Sequence, residues 1–347
     1  MSEHPQKFLV IRLSSIGDIV HTLPAVAALG NTFPDAEITW AVETRYACLL
    51  KNNPYLKRLI TLDTLEWRRN LSRIATLREI VRSGRALRQE PFDAVIDFQG
   101  LVKTGLIAWM CRSPRRIGFA KYQHREPGAG LFYTEEVPVP IGRHVIEENL
   151  ALAKWLGARS EVWQFPLPQH AEDDLFVESA LENLKIKDFI LINPGGGWIT
   201  KRWPPANYSA LLQKLDKELP WSIVMSGSPA EEEEIREIIQ GSGSQRACYI
   251  PTTLRQYLAL CRRARLFVGG DTGPLHIAAA LGVPIVALHG PTDPRRNGPF
   301  SPADIALSNR GPINHTRKTR NPKFLDGISV SEVLEAVRER LVRSRGA

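Results

Sequence analysis

Apolar positions along the chain alternate between two patterns. Compact runs such as Phe8-Leu-Val-Ile-Arg-Leu13, Glu37-Ile-Thr-Trp-Ala-Val42, Leu59-Ile-Thr-Leu62 and Asp93-Ala-Val-Ile-Asp-Phe98 read as buried strands. Phe189–Ile192, Ser222–Met225, Leu266–Val268 and Ile285–Leu288 repeat the signal in the second half. Ile117-Gly118 reads as a shorter strand. Stretches with helical spacing separate them, near 19–29, 46–50, 66–90, 103–110 and 147–155, then 205–218, 229–240, 253–262, 273–281 and 330–342. Pro24 falls inside the first helix, which must start late or kink. Strands separated by helices in both halves predict two doubly wound α/β domains. Residues 120–137 read as irregular surface chain, and 290–326 as rich in Pro, Asn and Gly. Pro138, Pro140, Pro166 and Pro168 mark extended chain, so the linker is placed near 158–178. The expected division is 1–165, 166–328, and a final helical piece 329–347 that can cross back to the first domain.

The most informative unit is 265–288. Leu266–Val268 leads through Gly269 and Gly270, expected to turn the chain sharply, to Asp271 and Thr272, either of which can cap the next helix. A helix start beside glycines at the carboxyl end of a strand suits an anion. Acidic Asp271 suits a ligand bearing hydroxyls as well as phosphates. Asn193-Pro-Gly-Gly-Gly197 leaves another strand and predicts free backbone N–H groups, with Lys201 or Arg202 supplying positive charge. Glu231 opens a helix after Ser226-Gly-Ser-Pro229, either as a dipole partner or as an acceptor from sugar hydroxyls. His276 reads as a core histidine or a donor to a neighbouring group. His21 and the strand-end loop His289-Gly-Pro-Thr-Asp293 carry similar alternatives. Asp18, after Ser14-Ser-Ile-Gly, is either a general base or only a helix cap.

Length and charge narrow the function. The 347 residues allow two full cores, and 43% hydrophobic with 24% charged residues is ordinary for a folded soluble chain. The net charge of +8 suits an anionic partner, but no nucleic-acid motif accompanies it. The 4 cysteines, at 48, 111, 248 and 261, form no metal-ligand pattern and read as reduced thiols of a cytosolic protein. No signal peptide or transmembrane run is present. In 66–90, Trp67, Leu71, Ile74, Leu77, Ile80 and Val81 recur at helical spacing among arginines. That face is either merely solvated or drawn to an acceptor or membrane surface. Neither G-x-G-x-x-G nor a Walker motif occurs, which disfavours NAD and P-loop chemistry.

Five stretches together resemble the bacterial lipopolysaccharide heptosyltransferases, over nearly the whole chain. They are Ser14-Ser-Ile-Gly-Asp-Ile-Val-His-Thr-Leu-Pro24, Gln99-Gly-Leu-Val-Lys103, Lys201-Arg-Trp-Pro204, Gly270-Asp-Thr-Gly-Pro-Leu-His276 and His289-Gly-Pro-Thr-Asp293. The first two, with Arg125-Glu-Pro127, look most like heptosyltransferase I; Asn193-Pro-Gly-Gly-Gly197 looks more like heptosyltransferase II. The resemblance implies two facing Rossmann-like domains of GT-B architecture. It also implies inverting transfer from ADP-L-glycero-D-manno-heptose to Kdo of lipid A, with no metal and no cofactor. It casts Asp18 as base and Lys201 as the diphosphate lysine. Asp271 becomes the contact to heptose hydroxyls, Thr272 and Gly273 the phosphate cradle, and Glu231 the ribose partner, with His276 alongside. Gly196 and Gly197 replace hydroxyl residues of some relatives and leave backbone contacts alone. Arg12, Arg68, Arg69, Lys103, Arg125 and Arg143 are the basic candidates for the anionic acceptor. The implied setting is the cytoplasmic face of the inner membrane, held peripherally and reversibly. The alternatives are heptosyltransferase II, another GT-B enzyme with a different acceptor, or a nucleotide- or glycan-binding protein without turnover.

Overall fold

A computed structural model describes residues 6–345 except 71, 90, 124, 141, 160–161 and 310–324. Side chains at 68, 77, 199, 344 and 345 also fall outside the description. The chain divides into two compact units, Met1–Pro168 and Gln169–Ala347.

The first unit holds six parallel strands: β1 Lys7–Ile11, β2 Glu37–Glu43, β3 Arg58–Leu62, β4 Ala94–Asp97, β5 Arg115–Phe119 and β6 Glu135–Val137. Their order is β3-β2-β1-β4-β5-β6. Its helices are α1 Ile16–Thr32, α2 Thr64–Arg69, α3 Ile74–Gln89, α4 Val102–Met110 and α5 Val145–Trp155. The second unit holds β7 Phe189–Asn193, β8 Ser222–Met225, β9 Ala247–Tyr249, β10 Leu266–Gly270, β11 Ile285–His289 and β12 Ile305–Ser308, ordered β12-β11-β10-β7-β8-β9. Its helices are α6 Ala171–Asn183, α7 Pro205–Glu218, α8 Glu232–Ser242, α9 Leu254–Arg262, α10 Gly273–Ala280, α11 Pro294–Asn297 and α12 Val330–Arg345.

Each sheet thus winds outward in two directions from its first strand. β1 pairs with both β2 and β4, and β7 pairs with both β8 and β10. Helices covering a parallel sheet explain why the central strands are continuously apolar rather than alternating. The crevice beyond the strand ends at such a reversal is the natural ligand position. In the first unit the loops after β1 and β4 meet there. In the second, the loops after β7 and β10 do.

Several expectations change. Helix 66–90 is two helices, with Asn70 capping the first. Of its expected apolar face, Trp67 packs against the first core, but Ile74 and Val81 are exposed. Leu71 and the Leu77 side chain lie outside the described residues. Pro24 does not delay α1, which runs through it. The segment placed in the linker runs into the first part of α6, and β6, β9 and β12 were not expected. Residues 310–324, within the stretch 290–326, lie outside the described residues. The piece 329–347 belongs to the second unit: α12 buries Val333, Leu334 and Val337 in the core shared by α7 and β11.

Candidate active site

The loop after β1 carries the first cluster. Ser15, rather than Asp18, is the N-cap of α1; Asp18 sits one turn in and accepts the Ser15 N–H at 3.1 Å and its hydroxyl at 3.2 Å. Arg12 lies 2.5 Å from Asp18 Oδ1 and is 2% exposed. Its guanidinium also donates to the Phe98 carbonyl at the end of β4. Arg125 closes the other side, donating to Asp18 Oδ1 at 2.7 Å and Oδ2 at 3.3 Å. Burial would raise the Asp18 pKa, but Arg12 and then Arg125 outweigh it and hold the carboxyl well below its ordinary value. Burial lowers Arg12 to about 10, against the pull of Asp18. Asp18 therefore stays ionised and keeps an 18% exposed side chain.

Two residues that drew no attention in the sequence shape this loop. Asp97, fully buried at the end of β4, accepts the Gln99 and Gly100 N–H groups and the Tyr133 hydroxyl at 2.8, 3.3 and 2.7 Å. Gln99 can then accept the Leu13 N–H at 2.8 Å, tying the two strand-end loops together. Glu126 accepts the first N–H of α4, from Val102, at 2.8 Å, which seats the segment that carries Arg125. The carboxylate at the end of an apolar strand, ahead of Gln-Gly, is the available signal for Asp97.

The basic residues expected on this unit separate. Arg12 is buried on Asp18 and presents no free guanidinium to solvent. Lys103 donates to Thr64 Oγ1 at 2.9 Å and lies 3.8 Å from the buried Glu43 carboxylate. Arg69 is exposed on α2. Arg143 is exposed and pairs loosely with Glu147, one helical turn on, at 3.9 Å. The Arg68 side chain lies outside the description. Among the described residues, Arg125 and Arg12 are the basic candidates that meet Asp18.

The second cluster forms at the ends of β7 and β10. Gly269 and Gly270 do not turn the chain: they complete β10. A side chain at Gly269 would meet the Asn193 carbonyl oxygen at 2.8 Å, and one at Gly270 the Lys201 carbonyl oxygen at 2.6 Å. These glycines let the two loops approach. Lys201 then donates to the Asp271 carboxylate at 2.6 Å and to its carbonyl at 2.9 Å. Thr292 donates to the same carboxylate oxygen at 2.7 Å, and His276 Nε2 lies 3.2 Å from the other. Burial would raise Asp271, but the His276 hydrogen bond and the Lys201 charge hold it well below the usual range. His289 is fully buried; burial lowers it to about 4, so it is neutral at pH 7.

Thr272 is the N-cap of α10 by backbone, yet its hydroxyl makes no capping bond. Gly273 opens the helix beside it, and the helix start keeps its capacity for an anion. The glycine loop is less open than expected. Gly196 N–H donates to Glu231 at 3.1 Å, whose other oxygen takes the Ser228 N–H and hydroxyl. A side chain at Gly195 would collide with that carboxylate, whereas one at Gly197 would enter open space. Arg202 turns to the Gly196 carbonyl and Glu234. Glu231, Gly196, Lys201, Asp271, Thr272, Gly273 and His276 thus surround one strand-end crevice. Thr292, not singled out from the sequence, belongs with them.

A profile of glycosyltransferase family 9 (heptosyltransferase) matches residues 80–326. The lipopolysaccharide heptosyltransferase 1 of Pseudomonas aeruginosa is 31% identical over 312 residues, covering 88% of this chain and 84% of that protein. The chain belongs to glycosyltransferase family 9. The Escherichia coli K12 lipopolysaccharide heptosyltransferase 1 is 29% identical, with 83% of this chain and 89% of that protein covered. Among solved structures, E. coli heptosyltransferase WaaC with ADP superposes with a TM-score of 0.80 at 24% identity, covering 96% of this chain and 100% of that one. E. coli ADP-heptose lps heptosyltransferase II gives 0.77 at 22%, covering 98% and 100%. The fold is that of GT-B enzymes, and the family member is a glycosyltransferase. No helix among the described residues is long and apolar enough to cross a membrane.

Proposed function

We propose that this family 9 enzyme transfers heptose from ADP-L-glycero-D-manno-heptose to a Kdo residue of the lipopolysaccharide inner core, inverting the anomeric centre. The observation that carries the reading is the pair of strand-end clusters, one built around Asp18 and the other around Lys201 and Asp271. Membership in a heptosyltransferase family and the identity to heptosyltransferase 1 proteins support the donor and acceptor.

The roles follow from charge. Lys201 and the start of α10 at Thr272 and Gly273 hold the diphosphate and offset the charge that builds on it as ADP leaves. Asp271, turned by Thr292 and His276, accepts from heptose hydroxyls. Glu231 takes the ribose hydroxyls, exchanging its bond to Gly196 for them. Asp18 accepts the proton of the attacking Kdo hydroxyl. Two guanidinium groups make it a weak base at rest. An acceptor carboxylate that draws Arg125 away leaves only Arg12 on Asp18 and restores its basicity. Arg125 then serves both the acceptor and the timing of the base. Lys103, Arg68, Arg69 and Arg143 add attraction for carboxylates and phosphates. No cofactor enters this scheme, and attachment to the cytoplasmic face of the inner membrane is peripheral.

Mass and anomeric analysis of the product from ADP-heptose and Kdo-lipid A tests the reading. A single heptose added with inverted configuration is the expected result. A heptose appearing only on an already heptosylated acceptor would move the enzyme to the heptosyltransferase II step. Binding of both ligands without any product would make it a non-catalytic binder.

A further inference from the structure

Helix α4 is largely apolar, yet only one side of it is buried. Thr104, Gly105, Ile107 and Ala108 are buried, while Val102, Leu106 and Trp109 form an outward stripe one and two turns apart. Trp109 keeps 52% of its surface exposed. The neighbouring α3 repeats the arrangement. Ile74, 68% exposed, and Val81 lie on one stripe with Arg78 and Arg85, and Arg82 flanks it. The two helices pack closely where Gly84 faces Met110: a side chain at Gly84 would meet the Met110 methyl at 2.6 Å. Arg88 of α3 and Trp109 of α4 line one shared depression there, together with Met110, Arg112 and Arg116.

We propose that the outward stripes of α3 and α4 form one docking surface for an anionic lipid bilayer. Large apolar side chains beside arginines are the composition of an interfacial helix, because arginine stems lie along the apolar layer while their charged ends reach the headgroups. The shallow depression along α3 is lined by residues of α3 alone. Among the described residues it has no facing wall to grip a peptide or a small ligand, whereas a fluid, planar phase needs none. The arginines select negative headgroups, and single exposed side chains without a spanning helix give reversible attachment. The proposal extends the reading of a lipid-linked acceptor, and the two are separable by experiment.

The test is co-sedimentation of the full chain with phosphatidylcholine vesicles, with and without phosphatidylglycerol. The wild type is expected on the anionic vesicles and to be released by salt. L106S/W109S should lower partition at least ten-fold at every salt concentration, roughly the scale of two lost apolar anchors. R78Q/R82Q/R85Q should abolish the preference for phosphatidylglycerol. Both variants should turn over a deacylated, water-soluble acceptor at the wild-type rate, which also reports their folding. Should L106S/W109S fail that check, quenching of tryptophan emission by brominated lipid, compared between wild type and W109F, decides instead; no difference overturns the proposal. Unchanged sedimentation of a folded L106S/W109S overturns it as well. So does a wild type that is dimeric by light scattering and made monomeric by the same substitutions, since a second copy would then cover the patch. Vesicle binding without heptose transfer would remove the proposed reaction and leave the docking surface standing.

Discussion

The two units share one strand order and place an aspartate just past the first or fourth strand of that order, yet they treat it differently. Asp18 is held by two arginines and stays partly open to solvent. Asp271 is 1% exposed and held by one lysine, a threonine hydroxyl and a histidine. Arginine presents a fixed fork that can engage both oxygens, and Arg125 does so from a half-exposed position. Lysine is a point charge, and Lys201 spreads it over a carboxylate and a carbonyl. One aspartate is therefore guarded but reachable, while the other is locked in a network of lysine, threonine and histidine. The same topology thus supports an exchangeable pair in one unit and a fixed one in the other.

The sharpest test of this contrast is Asp18→Asn. Turnover should fall by roughly 100-fold or more, the scale of lost proton transfer, with ADP binding preserved. The buried Arg12 also loses its counterion, so stability should fall by about 3 kcal/mol. Urea melts alongside kinetics below the melting range separate the two effects. Near-normal turnover would reduce Asp18 to a capping partner. The stability supplied by both depressed aspartates is full above their ordinary pKa and is lost as pH falls through the lower folded values.

His289 gives the second unit its own signature. The buried ring resists protonation down to about 4, while the unfolded chain takes up a proton near 6.5. Stability is therefore full above 6.5 and is lost as pH falls toward 4, by about 3 kcal/mol in all. His289→Asn should flatten that part of the curve of unfolding free energy against pH. An unchanged slope between those values would mean that the ring is already charged in the folded protein.

Lys201→Ala should weaken ADP about ten-fold, as expected of one charge-assisted hydrogen bond. Asp271→Ala should weaken ADP-heptose more than ADP. Calorimetry that finds equal losses for both ligands in the Asp271 variant would end its role toward the sugar.

Much of this was legible as apolar runs. Strands buried on both faces, such as Phe189–Asn193, announce themselves, and the turn sequences after them locate both clusters. Of the edge strands, β3 showed itself as a short apolar run, but β6, β9 and β12 did not. Ala247–Tyr249 has three residues and is only partly buried, so no run stands out. Helix α6 buries little beyond Val177 and Leu181, and its acidic start after two prolines resembles a linker. Partnering was the least visible feature. Arg12, inside an apolar run, reads as a cation for a ligand, but it serves Asp18, six residues away. Gly269 and Gly270 read as a turn, whereas the reason for them is a carbonyl oxygen on another strand-end loop. Thr292 gains its meaning only once β11 brings its loop beside Asp271. Such pairings depend on which loops share a sheet end, and periodicity does not record that.

The smallest expected effect concerns the outer cations of the first unit. Arg69 is exposed, and it shares the short helix α2 with Arg68. Thr64 begins that helix and accepts from Lys103, so α2 lies beside the start of α4. Exposed charges attract an anionic acceptor through solvent and contribute on the order of 0.2–1 kcal/mol each. Replacing both arginines by glutamine should therefore raise the acceptor KM only a few-fold at low salt, with the donor KM unchanged. At moderate salt the difference should shrink, because separations beyond the Debye length are screened. Arg125→Gln should behave otherwise, since it contacts Asp18 directly: its effect should fall on kcat as well and persist in salt. An acceptor KM for the Arg68 and Arg69 double variant that does not move at either salt level would leave these arginines as solubilising charges and confine acceptor recognition to Arg125, Lys103 and Arg143. A salt-independent rise would place at least one of them in direct contact with the acceptor, which would extend the exchangeable chemistry around Asp18 outward to α2.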